Sequence, residues 1–235
     1  MSRLLAHAIT RRETRGPDAG LRGQPIRWIG GAELGIWVTE WAGDPTLTRD
    51  DAFAHHDLVA VLCDAGPCLP VRFGSWLATE AAARRSIEEG EGRFRAAVDR
   101  LGAHQEIALT LLWRDAAVEA GRGPAVALSG RAFLDRKRAA HAVTDERRRL
   151  AATLADRLAA ELTVDRANVR HETCPSPEVA LSLSLLARKD EAGALKARAT
   201  TAVSGLDGVR GVVSGPWPPY SFTEDLEDLG TTGGS

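Results

Sequence analysis

The sequence predicts an α+β protein of two domains that ends in a proline-aromatic tail. Three observations carry this. Alternating apolar residues, clearest at Val179, Leu181, Leu183 and Leu185, mark strands. Apolar residues at helical spacing, as at Ile87, Phe94, Val98 and Leu101, mark helices. A length of 235 residues has room for two small domains, and a second series of elements starts near Gly102. The expected division is 1–102 for an N-terminal α+β domain, 103–214 for a second domain and 215–235 for the tail.

In the first domain, residues 4–9 read as a strand, and 10–24, rich in Arg, Gly and Pro, as an exposed loop. Residues 25–29 and 34–41 are β-prone, and Gly30-Gly31 between them suggests a hairpin. Residues 50–63 carry Phe53, Asp57 and Val61 at helical spacing, with Thr48 or Asp50 as N-cap. Gly66-Pro67 stops that helix. Residues 68–73 form a short strand, and Gly74-Ser75 a turn. Thr79 caps the next helix, with Glu80 favoured in its first turn. Gly90 and Gly92 each cost this helix about 1 kcal/mol relative to alanine, which predicts a bend. The order is β-β-β-α-β-α, from which no topology follows.

In the second domain, Ile107, Leu109, Leu111 and Trp113 alternate with Ala108, Thr110 and Leu112, a strand by period. Residues 115–124 read as a loop. Residues 130–162 are helical, and Thr144-Asp145-Glu146 resembles a cap, so two helices are expected. Asp145 and Arg149 would pair, and Leu150, Leu154, Leu158 and Leu162 would form the buried stripe. Strands follow at 168–173 and from Val179, then a helix over 190–203 ended by Gly205, and a last strand over 209–213. This β-α-β-β-α-β order is that of a modified ferredoxin-like fold with an inserted helical extension over about 130–162. Only 230–235 read as disordered.

The composition, 44% hydrophobic and 26% charged, is that of a globular protein. A formal charge of −2 calls for neither nucleic acid nor an anionic membrane. Three cysteines, an odd number, argue against a disulfide framework and for a reducing cytoplasm. The first ten residues are too short and interrupted for a signal peptide. No apolar run approaches membrane-spanning length.

Few constellations point to chemistry. Cys63 and Cys68 with His171 and Cys174 offer four zinc ligands, but the spacing is loose and the halves fall in different domains. Cysteines packed as small hydrophobes are the simpler reading. His55-His56-Asp57 would be a base with an orienting carboxylate only if neighbours on a helix faced one site, so a solvated face is expected. No G-x-S-x-G, Walker A or G-x-G-x-x-G pattern occurs, and no catalytic, cofactor or metal residue is assigned. The runs Arg136-Lys137-Arg138 and Arg147-Arg148-Arg149 read as a solvated face, with an acidic partner surface as the alternative.

The tail, Ser214-Gly215-Pro216-Trp217-Pro218-Pro219-Tyr220-Ser221-Phe222, is the most distinctive segment. Its prolines fix φ and remove donors, so it can continue neither a helix nor an interior strand and should run extended. Trp217, Tyr220 and Phe222, with Pro218 and Pro219, would either seal the crevice between the domains or contact a partner.

Two further blocks precede it. One is Gly66-Pro67-Cys68-Leu69-Pro70-Val71-Arg72-Phe73-Gly74-Ser75, and the other is Gly130-Arg131-Ala132-Phe133-Leu134-Asp135-Arg136-Lys137. In this order the three blocks resemble those of the gas vesicle protein F/L family over nearly the whole chain. Pro70, Arg72, Phe73 and Gly74 fit the family motif; Cys68, Phe133 and Ser221 depart from its usual residues. The resemblance implies a non-enzymatic accessory protein of gas vesicle assembly, in the cytoplasm or on the vesicle, without a cofactor. It also implies two α+β domains, the second ferredoxin-like with inserted helices, and as partners the small hydrophobic shell protein and other accessory proteins. The alternative is a small-molecule-binding regulatory module on a ferredoxin-like sheet.

Overall fold

A computed structural model describes residues 3–12, 14–42, 46–114, 130–176 and 178–223, with the backbone alone over 130–144. The fold is α+β, with two sheets and four α-helices among the described residues. The chain divides into two compact units. One holds the chain up to Gln105 and takes it up again at Trp217; the other is Glu106–Pro216.

In the first unit, β1 (Arg3–Arg11) lies between β3 (Leu34–Trp41) and β4 (Cys68–Pro70), and β2 (Ile26–Gly30) lies outside β3. β5 (Trp76–Leu77), which the sequence did not announce, also pairs with β1, and all these pairings are antiparallel. The expected hairpin is β2–β3, in register from Ile26↔Thr39 to Gly30↔Gly35. The strand expected over 68–73 ends at Pro70. Every residue of β1 from Leu4 to Thr10 is buried, the pattern of a strand covered on both faces. Two helices pack on this sheet, α1 (Arg49–Ala65) and α2 (Glu80–Leu101).

Thr48 caps α1 in a reciprocal box: Asp51 N–H donates to Thr48 Oγ1 at 3.3 Å, and Thr48 N–H donates to Asp51 Oδ2 at 2.8 Å. Phe53 and Val61 lie on the outer face of α1, 56% and 52% exposed. The inner face is Asp51, His55, Leu58, Val59, Leu62 and Cys63. Thr79 caps α2, accepting from Ala82 N–H, and Ile87, Phe94, Val98 and Leu101 are buried along it as expected. The expected bend does not interrupt α2, which is one helical span through both glycines. Gly90 serves packing instead: a Cβ there would meet the Phe94 ring at 2.3 Å.

In the second unit the strand order is β7 (Val169–Thr173), β8 (Val179–Arg188), β6 (His104–Trp113), β9 (Val209–Trp217). β7 and β8 are antiparallel, from Val169↔Leu185 to Thr173↔Leu181. α3 (Gly130–Leu162) and α4 (Ala192–Ser204) pack on each other and on this sheet. The core joins Ile107, Leu109 and Leu111 to Leu181, Leu183, Leu185, Leu158 and Leu195. Gly205 ends α4.

Four expectations are corrected here. α3 is one helix, because the cap-like Thr144-Asp145-Glu146 is followed by strong helix formers and the span continues through it. Its buried stripe is Ala151, Ala155, Leu158 and Leu162, with Leu150 48% exposed, since small residues let a helix approach closely. Arg149 lies beside Glu146, at 3.7 Å, instead of pairing with Asp145. Finally, β9 extends past Val213 to Trp217. It is an edge strand, where a proline's missing donor breaks no ladder. The loop expected over 115–124 and the disorder expected over 230–235 lie outside the described residues.

Candidate functional site

The site is built around α1 in the first unit, where two of the three sequence blocks meet. β1 carries a bulge: Ala6 pairs with Val38 and Ala8 with Trp37, so His7 is the extra residue. Bulges re-aim side chains. The His7 ring reaches α1, where its Nδ1 lies 3.0 Å from Nδ1 of His55. Its Nε2 lies 2.6 Å from Oγ1 of Thr39 on β3. Leu21 N–H donates to that same hydroxyl oxygen at 3.2 Å. On the other side, His55 Nε2 lies 3.1 Å from the carbonyl oxygen of Val71, and Val71 N–H donates to the carbonyl of His7 at 2.8 Å. Thus the block that begins at Gly66 is tied to both histidines through Val71.

The aromatic residues of the two blocks close around α1. The Phe73 ring stands edge-on to His55, with centroids 5.3 Å apart. Tyr220 lies 6.5 Å from His55 and 6.3 Å from His56, and Trp217 stands edge-on to His56 at 4.8 Å. Pro218, Pro219 and Phe222 are buried, Phe222 completely, whereas Trp217 is 37% exposed. Arg100 of α2 donates to the carbonyl of Phe222 at 3.1 Å. The segment expected to run extended instead closes in a 3-10 turn over Tyr220–Phe222. In the other block, Pro70 is buried at the end of β4, Arg72 is exposed, and Gly74 occupies the turn before β5 at φ +87°.

Both histidines are buried, His7 completely and His55 to 2% exposure. The expectation of a solvated His55 is therefore wrong: the residue faces inward, four positions after the buried Asp51. Burial, and then the charge His55 would carry, hold the His7 pKa down to about 3. Burial also lowers His55, to about 4, against the bond to Val71 O. Sequence reasoning missed His7 and Thr39 altogether. The one available signal was a histidine inside an otherwise apolar strand.

At the start of α1, Arg22 grips Asp51. Its Nε donates to Oδ1 at 2.7 Å and its Nη2 to Oδ2 at 2.5 Å, while the guanidinium stacks over Trp41 at 4.7 Å. The Arg22 hydrogen bonds, foremost, hold the Asp51 carboxyl well below the usual carboxylate range. Replacing Arg22 with alanine is expected to cost about 1–3 kcal/mol in denaturant unfolding at neutral pH, as a charged hydrogen-bond partner is lost. A carboxyl with a lowered folded pKa contributes above its unfolded value and loses that contribution as pH falls. The difference between wild type and R22A should therefore shrink below about pH 4.

The four cysteine and histidine positions considered for zinc do not assemble. Cys63 and Cys68 are buried among Leu5, Ala8, Leu58 and Leu62 in the first unit, whereas His171 and Cys174 belong to the second. Among the described residues no three His, Cys, Asp or Glu side chains group as a metal site, and no helix is long and apolar enough to cross a membrane. The Arg136-Lys137-Arg138 side chains and those of the block entering α3 lie outside the described residues.

Two solved structures share the fold. The gas vesicle protein GvpF from Anabaena sp. PCC7120 superposes with a TM-score of 0.72 at 16% identity, over 95% of this chain and 97% of that one. GvpF from Microcystis aeruginosa gives 0.69 at 14%, over 95% and 99%. No curated protein sequence matches the chain. The model of the gas vesicle synthesis protein GvpL/GvpF family matches residues 4–224, nearly the whole chain. The chain therefore belongs to the GvpL/GvpF family of gas vesicle synthesis proteins.

Proposed function

We propose that this protein is a non-enzymatic assembly factor that holds the small hydrophobic gas vesicle shell protein, in the cytoplasm or on the growing vesicle, and assists nucleation or growth. Family membership supports a role in gas vesicle formation and vesicle-related partners. The observation that carries the finer reading is the outer face of α1. Phe53 and Val61 are more than half exposed there, and Trp217 is partly exposed against His56 of the same helix. Large exposed apolar side chains gathered on one face mark an interaction surface, and the shell protein supplies apolar faces that need cover before they join the wall. The strand order β7-β8-β6-β9 also supports reading 103–214 as a modified ferredoxin-like domain with α3 as its helical insert.

The test is co-expression of tagged protein with the main shell protein of the same gene cluster. Wild type is expected to co-purify it specifically, whereas the double variant Phe53→Asp, Val61→Asp should recover at least about tenfold less, the equivalent of about 1.4 kcal/mol. Undiminished recovery with the double variant would move the surface elsewhere. No association at all, from folded wild type, would remove shell binding from the reading.

A further inference from the structure

We propose that the His7–His55 pair is an acid-sensitive latch, which clamps α1 and the aromatic segment docked on it to β1 while both rings are neutral and lets go when protons are taken up. The partners dictate where the protons sit. The Val71 carbonyl can only accept, so His55 Nε2 carries a hydrogen and donates to it. A neutral His55 then has a bare Nδ1, which must accept from His7 Nδ1–H, 3.0 Å away. That leaves His7 Nε2 bare, accepting from the Thr39 hydroxyl at 2.6 Å. The Thr39 oxygen in turn accepts from Leu21 N–H. Every hydrogen in the chain of bonds meets an acceptor and both ring nitrogens of each histidine are engaged, with no net charge. A protein interior tolerates such a network because it is complete.

An added proton has no good place. On His55 Nδ1 it sets two N–H groups head to head at 3.0 Å. On His7 Nε2 it displaces the Thr39 hydroxyl hydrogen from its bond and puts an imidazolium in the core. Among the described contacts no carboxylate meets either ring. The titratable groups packed around the pair are Asp51, His56 and Cys63 on α1, Cys68 on β4 and Tyr220 in the C-terminal segment. Arg22 reaches Asp51, Arg72 follows Val71, and β3 contributes only the Thr39 hydroxyl. Asp51 is engaged by Arg22 and Thr48, and a protonated His56 adds repulsion.

The direction follows from linkage. Both histidines have folded pKa values below the ordinary 6.5, so the opened state binds more protons than the closed one. The stabilisation is complete above about pH 6.5 and is lost as pH falls from there toward about 4. With two protons taken up, opening rises by up to about 100-fold per pH unit in that window. Asp51 acts lower, below the ordinary carboxylate value near 4, so the two effects separate on the pH axis.

The test uses the whole protein. Cys63 is buried on the inner face of α1, and its labelling by a thiol reagent active in acid reads release of that helix. Between pH 6 and 4.5 the wild-type rate, followed on the Cys63 peptide, is expected to climb by close to 100-fold per unit. His55→Gln, which keeps a neutral donor and acceptor, should reduce the climb to about 10-fold per unit. The same steepness in both proteins would overturn the proposal. Nitrogen-15 spectra of the histidine rings in wild type decide it without a variant. At pH 6, His7 must show the neutral Nδ1–H form and His55 the neutral Nε2–H form; an imidazolium signal from either would also overturn it.

Discussion

Phe222→Ala is expected to cost about 3–5 kcal/mol, because the ring is fully buried and its removal leaves a cavity. The neighbouring Trp217→Ala should cost less, about 1–2 kcal/mol, since the indole is 37% exposed and packs T-shaped against His56. The ordering is the informative part. By size alone the indole would be the greater loss, and by position it is the smaller one. Denaturant unfolding of both variants beside wild type measures it. An equal loss in the two would mean that Trp217 is buried in solution. A negligible loss for F222A would mean that the C-terminal segment is not docked on α1. Under the proposed function the same pair separates anchoring from recognition: W217A should weaken shell-protein capture more than it weakens the fold.

Gly215→Ala is expected to destabilise the second unit by roughly 2–4 kcal/mol, combining a strained positive φ with local overpacking. The backbone at Gly215 has φ +104°, a region side chains rarely adopt. A Cβ there would stand 2.6 Å from the carbonyl oxygen of Glu106 and 3.4 Å from Cα of Ile107. Neither is the flexible end of a side chain, so β9 must move off β6. Lys196 also holds the strand, its Nζ donating to the Gly215 carbonyl at 2.6 Å. Thermal unfolding of G215A is the measurement, and an unchanged midpoint would show that the edge strand yields freely.

Much of the fold was legible because its signals are local. Thr48 and Thr79 cap the helices they precede, the alternation over residues 107–113 and 179–185 gives β6 and β8, and Gly205 ends α4. What failed depended on partners. Phe53, Asp57 and Val61 keep perfect helical spacing, yet spacing cannot say which face meets a sheet. Leu150 was preferred for its size, yet it is exposed, while Ala151 and Ala155 are buried and Leu154 packs half-buried against the core. The tail block was recognisable by composition, but not the turn that buries Phe222. The histidine pair was least legible. It needs a bulge at His7, a helix 48 residues later and a carbonyl 16 residues beyond that, and none of these leaves a local mark.

The first unit has a gap in its sequence: everything from Glu106 to Pro216 intervenes before Trp217 returns to it. During synthesis, at about 5–20 residues per second, α1 therefore waits on the order of ten seconds for the residues that cover it. Over that interval His55 and His56 lack Trp217 and Tyr220, and the site of Phe222 is empty. The second unit, continuous in sequence, has no such wait. Order of emergence thus favours its completion first, and a nascent first unit offers more apolar surface to chaperones or to vesicle proteins than the finished one does.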